Sequence, residues 1–246
     1  MTDKARTLDC TGMQCPGPLV RVKAAMKDLE PGQVLEVVAS DPGFAADIPS
    51  WCKTTGNELL NLSVESGRYA ARVAKGAGVE PAPTAGAAPS SNKKTIICFS
   101  GDLDRVLAAL IIANGAAAMG SEVTIFFTFW GLNALRKDHP PPMRKGLLDR
   151  MFGFMMPRGA NRLKLSKMNM GGMGTAMMKH VMRSKNVMSL NDLIDTARSN
   201  GIKLIACAMS MDVMGLSREE LIDGVEVAGV GNYLGRADEA NVNLFI

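Results

Sequence analysis

Two cysteines stand where a thiol could do chemistry. Cys15 opens the run Cys15-Pro16-Gly17-Pro18-Leu19, and the apolar spacing Val20, Ala24, Leu29 behind it predicts a helix from Pro16 to Leu29. Proline suits the first helical turn, where its missing N–H removes no intrahelical bond, so Cys15 is expected at or next to the N-cap. There the positive end of the helix would favour thiolate over thiol, with Arg21 and Lys23 adding to the field. Cys207 follows the β-rich run Ile202–Ala206 and is the one cysteine expected at the carboxyl edge of a parallel sheet, where active groups of α/β folds gather.

The other cysteines read differently. Cys52, beside Trp51 on the apolar face of a second helix, reads as packing. Cys98 lies inside a strand and should face the core. Cys10 lies at a strand end five residues before Cys15, and reads either as a resolving thiol or as a core residue. Five scattered cysteines are an odd number with no Cys-x-x-Cys pair, so neither a disulfide framework nor a zinc site is expected, and His139 and His180 have no cysteine near them in sequence. No metal or organic cofactor is expected.

The elements that must position these thiols divide into two sets. Residues 1–75 read as β-α-β-α-β-β: strands at Thr7–Cys10, Val34–Ala39, Glu58–Val64 and Tyr69–Val73, the helix after Cys15, and a helix over Phe44–Thr54 after Asp41-Pro42 that stops at Gly56. Two helices on one face of a small sheet make a two-layer α/β sandwich. Residues 76–92 are an Ala/Pro/Gly/Ser-rich linker with no apolar period, whose reach as a flexible chain is roughly 20–25 Å.

Residues 93–246 alternate strand and helix, which predicts a parallel sheet with helices on both faces. The strands are read at Lys94–Phe99, Ser121–Phe127, Ile202–Ala206, Val225–Ala228 and Val242–Phe245. The helices are read at Leu103–Met119, Leu190–Ser199, Arg218–Asp223 and Asn232–Ala240. The strand ends present Ser100-Gly101-Asp102, Thr128-Phe129-Trp130-Gly131 and Cys207, with Ser100 expected as a helix N-cap. Gly229, Gly231 and Gly235 are one residue out of register for a dinucleotide fingerprint, and the turn at Ser100 is too short for a phosphate loop.

Composition bounds the rest. Of 246 residues 47% are hydrophobic and 21% charged, which is a globular balance. No apolar stretch follows Met1–Arg6, so no secretory signal is expected, and the longest apolar stretch, Val106–Met119, falls short of the ~20 residues of a membrane span, so the cytoplasm is the expected compartment. Charge is uneven: Arg136–Lys185 holds twelve Lys or Arg against two Asp in a chain of net charge +4, and fourteen of the eighteen methionines lie from Met143 to Met214. This Met-rich basic insertion, about 136–188, reads with Phe152 and Phe154 as an oligomer or partner interface, or as a segment lying on a membrane surface. Copper(I) held by methionines and His180 is a further reading, whereas no stacking array accompanies the charge to suggest nucleic acid.

Residues 5–75 resemble the TusA (SirA-like) sulfur carriers. The resemblance rests on Asp9, Gly12, Cys15-Pro16-x-Pro18, Arg21 with Lys23, Pro31-Gly32, Asp41-Pro42 and Asp47-Ile48-Pro49. It implies that Cys15 carries a persulfide sulfur, supported by Pro16, Pro18, Arg21 and Asp41.

Residues 93–246 resemble the DsrE/DsrF/DsrH-like family, in its branch with a long insertion after the second strand. The residues concerned are Phe99–Asp104, Ile112–Ala116, Phe126–Leu132 and Ala206–Asp212. That resemblance implies sulfur relay through Cys207, supported by Ser100, Asp102 and Trp130, in a homo-oligomer. The joint expectation is a sulfurtransferase or sulfur carrier. It would exchange sulfur between rhodanese-like persulfide donors and acceptor thiol proteins, against the alternative of a binding or regulatory module that docks a redox complex or membrane through the insertion.

Overall fold

The structure, a computed structural model, describes residues 6–76, 91–140, 142, 146, 151, 153 and 155–246. Most of the expected linker, residues 77–90, and Phe152 and Phe154 lie outside the described residues.

The N-terminal unit runs β1 (Arg6–Cys10), α1 (Gly17–Lys27), β2 (Val34–Ala39), α2 (Pro42–Thr55), β3 (Glu58–Glu65) and β4 (Arg68–Ala74), with sheet order β1-β2-β4-β3. β1 pairs parallel to β2, and β4 pairs antiparallel to both β2 and β3. Alternation decides which face is covered: Leu35, Val37 and Ala39 of β2 are buried while the residues between them are half-buried. Against them pack Leu19, Val22 and Met26 of α1 and Phe44, Ile48 and Trp51 of α2, which puts both helices on one face of the sheet. α2 begins where the Asp41 side chain accepts the Gly43 N–H and ends at Gly56, whose φ of 68° the left-handed cap requires.

The C-terminal unit holds an all-parallel sheet of order β8-β7-β6-β5-β9. Its strands are β5 (Lys93–Cys98), β6 (Glu122–Phe127), β7 (Lys203–Cys207), β8 (Val225–Ala228) and β9 (Val242–Phe245). The helices are α3 (Leu103–Ala118), α4 (Met173–Ser184), α5 (Leu190–Ser199), α6 (Ala208–Val213) and α7 (Val230–Asp238). Buried Asn114 ties α3 to α5, donating through Nδ2 to the Leu110 and Leu193 carbonyls at 2.9 and 3.0 Å. α7 lies on Ile97, Phe126 and Ile205 through Tyr233 and Ala237, so the sheet carries helices on both faces. Among the described residues no helix is long and apolar enough to cross a membrane.

Several elements depart from the sequence reading, among them α4, a helix in the Met-rich insertion that the sequence reading did not place. The helix expected over Arg218–Asp223 is a single 3₁₀ turn, Arg218–Glu220. The next residues are drawn elsewhere: Arg136 and Leu221 form an antiparallel bridge, and the Ile222 N–H donates to the Leu135 carbonyl at 2.8 Å. Residues Phe129–Leu135 form a 3₁₀ segment and Ala208–Val213 a short helix, neither anticipated. Arg136, counted with the basic surface, is instead buried and paired with buried Glu220 at 3.4 Å.

Candidate functional site

Cys15 is set by the loop from Thr11 to Gln14, which local bonds pin at every step. Asp9 Oδ1 accepts the Thr11 N–H at 2.8 Å, Ser40 Oγ accepts the Gly12 N–H at 2.7 Å, and the Cys10 carbonyl accepts the Met13 N–H at 3.2 Å. The Cys15 N–H donates to Asp41 Oδ2 at 3.1 Å, while Asp41 Oδ1 accepts the Gly43 N–H at 3.2 Å. One carboxylate thus caps α2 and holds the backbone of Cys15. The Cys15–Pro16 peptide is cis, Pro16 is the N-cap of α1, and residues 16–19 are buried while Cys15 itself is exposed.

The electrostatics of Cys15 correct the sequence reading. Arg21 does not act on the sulfur: its Nη1 donates to the Asp9 carbonyl at 3.0 Å. Desolvation by the surrounding atoms, then the negative charges of Asp47 and Asp41, push the Cys15 thiol above its ordinary value. The helix start therefore presents an accessible thiol whose surroundings disfavour its ionisation. Asp47 was part of the motif that carried the resemblance, but no electrostatic role was read from it.

Cys10 and Cys52 are core residues. Both are buried, desolvation raises the Cys10 thiol, and burial pushes Cys52 up to about 11. The resolving-thiol alternative for Cys10 has no exposed sulfur to rest on.

Cys207 is the mirror case. It ends β7, precedes α6 and is only 4% exposed. Burial alone would raise its thiol, yet the polar groups of Ser210, Thr128 and Met209 around the sulfur favour the thiolate and bring it below the ordinary value. Thr128 Oγ1 and Ser210 Oγ lie 2.7 Å apart, and Ser210 is fully buried. Thr128 arrives from the end of β6 and Ser210 from the first turn of α6. The sequence reading named Thr128 at a strand end and Ser210 in the motif around Cys207 but gave neither a role at the sulfur, because they stand 82 positions apart.

Ser100, Asp102 and Trp130 gather at the ends of β5 and β6, around a cavity whose lining residues do not include Cys207. Ser100 is not the helix cap. Its Oγ accepts the Asp102 N–H at 3.0 Å and donates to Asp102 Oδ2 at 3.1 Å, and the residue directly before α3 is Asp102. Cys98 is buried on β5, two strands from β7, and burial pushes its thiol up to about 12. Among the described residues no three His, Cys, Asp or Glu side chains converge into a metal-binding group. Met168, Met170 and Met173 are all exposed.

With these sites in place, the relationships of the chain are clear. Residues 90–245, more than half of it, match the DsrE/DsrF/DrsH-like family. The chain belongs to that family. Residues 6–75 match the family described as Sulfurtransferase TusA. Among relatives of the DsrE-like part, the uncharacterized protein YrkE of Bacillus subtilis is 56% identical over 156 residues, which are 63% of this chain and 98% of that protein. The sulfur carrier protein DsrE2 of Allochromatium vinosum is 39% identical over 158 residues, 63% of this chain and 98% of its own length. The sulfur carrier protein TusA of the same organism is 41% identical over 69 residues, 28% of this chain and 91% of that protein. A TusA domain therefore precedes a DsrE-like domain in one chain.

Proposed function

We propose that this chain is a sulfur-relay protein that carries persulfide sulfur on Cys15 and on Cys207 and exchanges it with the thiols of partner proteins. The observation that carries the reading is Cys207 at the end of β7, a buried thiol that Ser210, Thr128 and Met209 bring below its ordinary pKa, in a chain whose relatives include proteins named sulfur carriers.

Each transfer is a thiol–disulfide type exchange. A cysteine thiolate attacks the outer sulfur of a donor persulfide, the donor's S–S bond breaks, and the donor leaves as a thiolate. The sulfur then sits on the carrier as Cys–S–S⁻ until an acceptor thiolate attacks its outer atom and the carrier cysteine leaves. Sulfur moves at constant overall oxidation level, so the step needs no electron carrier.

The two sites suit different halves of this exchange. Cys15 is open to a partner, but desolvation and the carboxylates of Asp47 and Asp41 disfavour its thiolate, so a rise in pH favours attack by it. Cys207 is shielded and ionises more readily. Donors of the rhodanese-like class, acceptor thiol proteins, self-association through the DsrE-like domain and a reducing cytoplasm complete the proposal.

Incubation with polysulfide followed by intact mass spectrometry tests it. The wild type should gain single sulfur masses that are lost in Cys15→Ala and Cys207→Ala. Unchanged loading in both variants would overturn the assignment.

A second reading, a docking module, draws on the exposed Met168, Met170, Met173 and Met177 with Lys179 and Arg183 on α4. It predicts that replacing these methionines abolishes partner or membrane-surface binding while sulfur loading persists.

A further inference from the structure

The ends of β5 and β6 border an open cavity of about 310 Å³ lined by Ser100, Asp102, Arg105, Trp130, Asn133 and Pro157, with Phe99 at its side. Two glycines allow it to form. A Cβ on Gly131 would stand 2.1 Å from the Cys98 carbonyl oxygen, and one on Gly101 2.9 Å from that of Trp130. Their absence lets the 3₁₀ segment Phe129–Leu135 close over the strand ends, where the Gly131 N–H donates to the Phe99 carbonyl at 2.9 Å. Carboxyl ends of parallel strands are where open α/β sheets take small ligands.

The polar groups of this cavity are only half used. Asn133 is 1% exposed, and its Oδ1 accepts from Arg136 Nη1 at 3.3 Å, yet its Nδ2 donates to no acceptor among the described residues. Asn133 lines the cavity and is not sealed from it; among the described residues the fully buried side-chain donor without a partner is Arg136 Nε. Asp102 uses Oδ2 for the Ser100 hydroxyl and for Arg105 Nε, at 3.1 and 3.6 Å, and its Oδ1 receives no donor among the described residues. The Arg105 guanidinium is more than half exposed at the rim, and the Trp130 indole, Phe99 and Pro157 supply apolar walls.

A purely anionic ligand would meet the Asp102 carboxylate, and a purely cationic one the Arg105 guanidinium, so each single charge is penalised. A ligand with both charges on adjacent atoms and a short apolar body meets neither penalty. We propose that this cavity binds a small zwitterion of the α-amino-acid class: its ammonium on Asp102, its carboxylate on Asn133 Nδ2 and Arg105, and its side chain along Trp130 and Pro157. Cys207 is not among the residues that line this cavity, and the existence of the site does not depend on sulfur transfer.

L-Methionine is a suitable probe, since its thioether does not exchange with thiols. Titration of the full chain by calorimetry should show saturable binding, accompanied by a change in the emission of Trp130; Trp51, the other tryptophan, is buried in the N-terminal core. 3-(Methylthio)propylamine and 4-(methylthio)butanoate, each carrying one charge of the pair, should bind more than about tenfold more weakly. Asn133→Asp keeps the acceptor for Arg136 and replaces the donor by a carboxylate, so binding should be lost. Arg105→Gln, at an exposed position where folding is not at stake, should weaken binding by about tenfold. No binding of L-methionine at about 10 mM, well into the weak range for small ligands, would overturn the proposal. So would single-charge analogues that bind as tightly, or an Arg105→Gln chain that binds as the wild type does.

Discussion

At the scale of single residues, two thiols of one chain are tuned in opposite directions by unlike means. Desolvation and the carboxylates of Asp47 and Asp41 raise Cys15, whereas the polar groups of Ser210, Thr128 and Met209 outweigh the burial of Cys207. The thiolate is the nucleophile, so alkylation at each site should rise with pH up to that site's own pKa and then level off. Site-resolved iodoacetamide labelling, read by peptide mass, should show the Cys207 profile levelling at a lower pH than that of Cys15. Asp47→Asn removes one of the two negative charges acting on Cys15 and should shift only its profile to lower pH; an unmoved profile would remove Asp47 from the account. Ser210→Ala deletes a hydroxyl that favours the Cys207 thiolate. Without it the burial of the sulfur is less opposed, so the Cys207 profile should move to higher pH. A profile that stays in place in Ser210→Ala would mean that the hydroxyl does not hold the anion.

At the scale of elements, Asp41 joins two local structures, the cap of α2 and the backbone of Cys15. Asp41→Ala should cost about 1 kcal/mol in urea unfolding through the lost cap and also release the Cys15 loop, whereas Asp41→Asn should retain most of the stability, since Asn caps comparably. Equal stability of Asp41→Ala and wild type would show that the cap bond contributes nothing. The sequence revealed the Asp-Pro cap, because capping is local chemistry written in adjacent residues, and it placed β2, α5, β8 and β9 at their observed bounds for the same reason. It did not reveal the Thr128–Ser210 contact, which exists only because β6 and β7 pair in parallel with Phe127 beside Ala206. The excess helix at Arg218–Asp223 has a similar cause. Its pattern is helical, but Glu220 is committed to buried Arg136, and Leu221 and Ile222 to the bridge with residues 135 and 136. The sign of the Cys15 shift was missed because a helix start is visible in sequence, while the packing that brings the α2 residue Asp47 to bear on the thiol is not.

At the scale of the whole molecule, the chain joins two units with separate sheets, and each aligns with nearly the full length of free-standing relatives. Residues 1–76 and 91–246 should therefore fold as separate fragments, each with a cooperative urea transition and each taking up sulfur on its own cysteine. What the fusion adds is concentration. If the residues between the units act as the flexible linker their composition suggests, one thiol experiences the other at an effective concentration on the order of millimolar. Sulfur loaded on either Cys15 or Cys207 of the full chain should then reach the other thiol at a rate that does not change on dilution, whereas a mixture of the two fragments should slow in proportion. The distribution is read by peptide mass after rapid alkylation at a series of protein concentrations. A full-chain rate that falls with dilution as the mixture's does would mean that the two thiols serve separate partners. A physical tether accelerates only reactions whose two partners it connects, so the dilution series tests whether the two carriers form one relay.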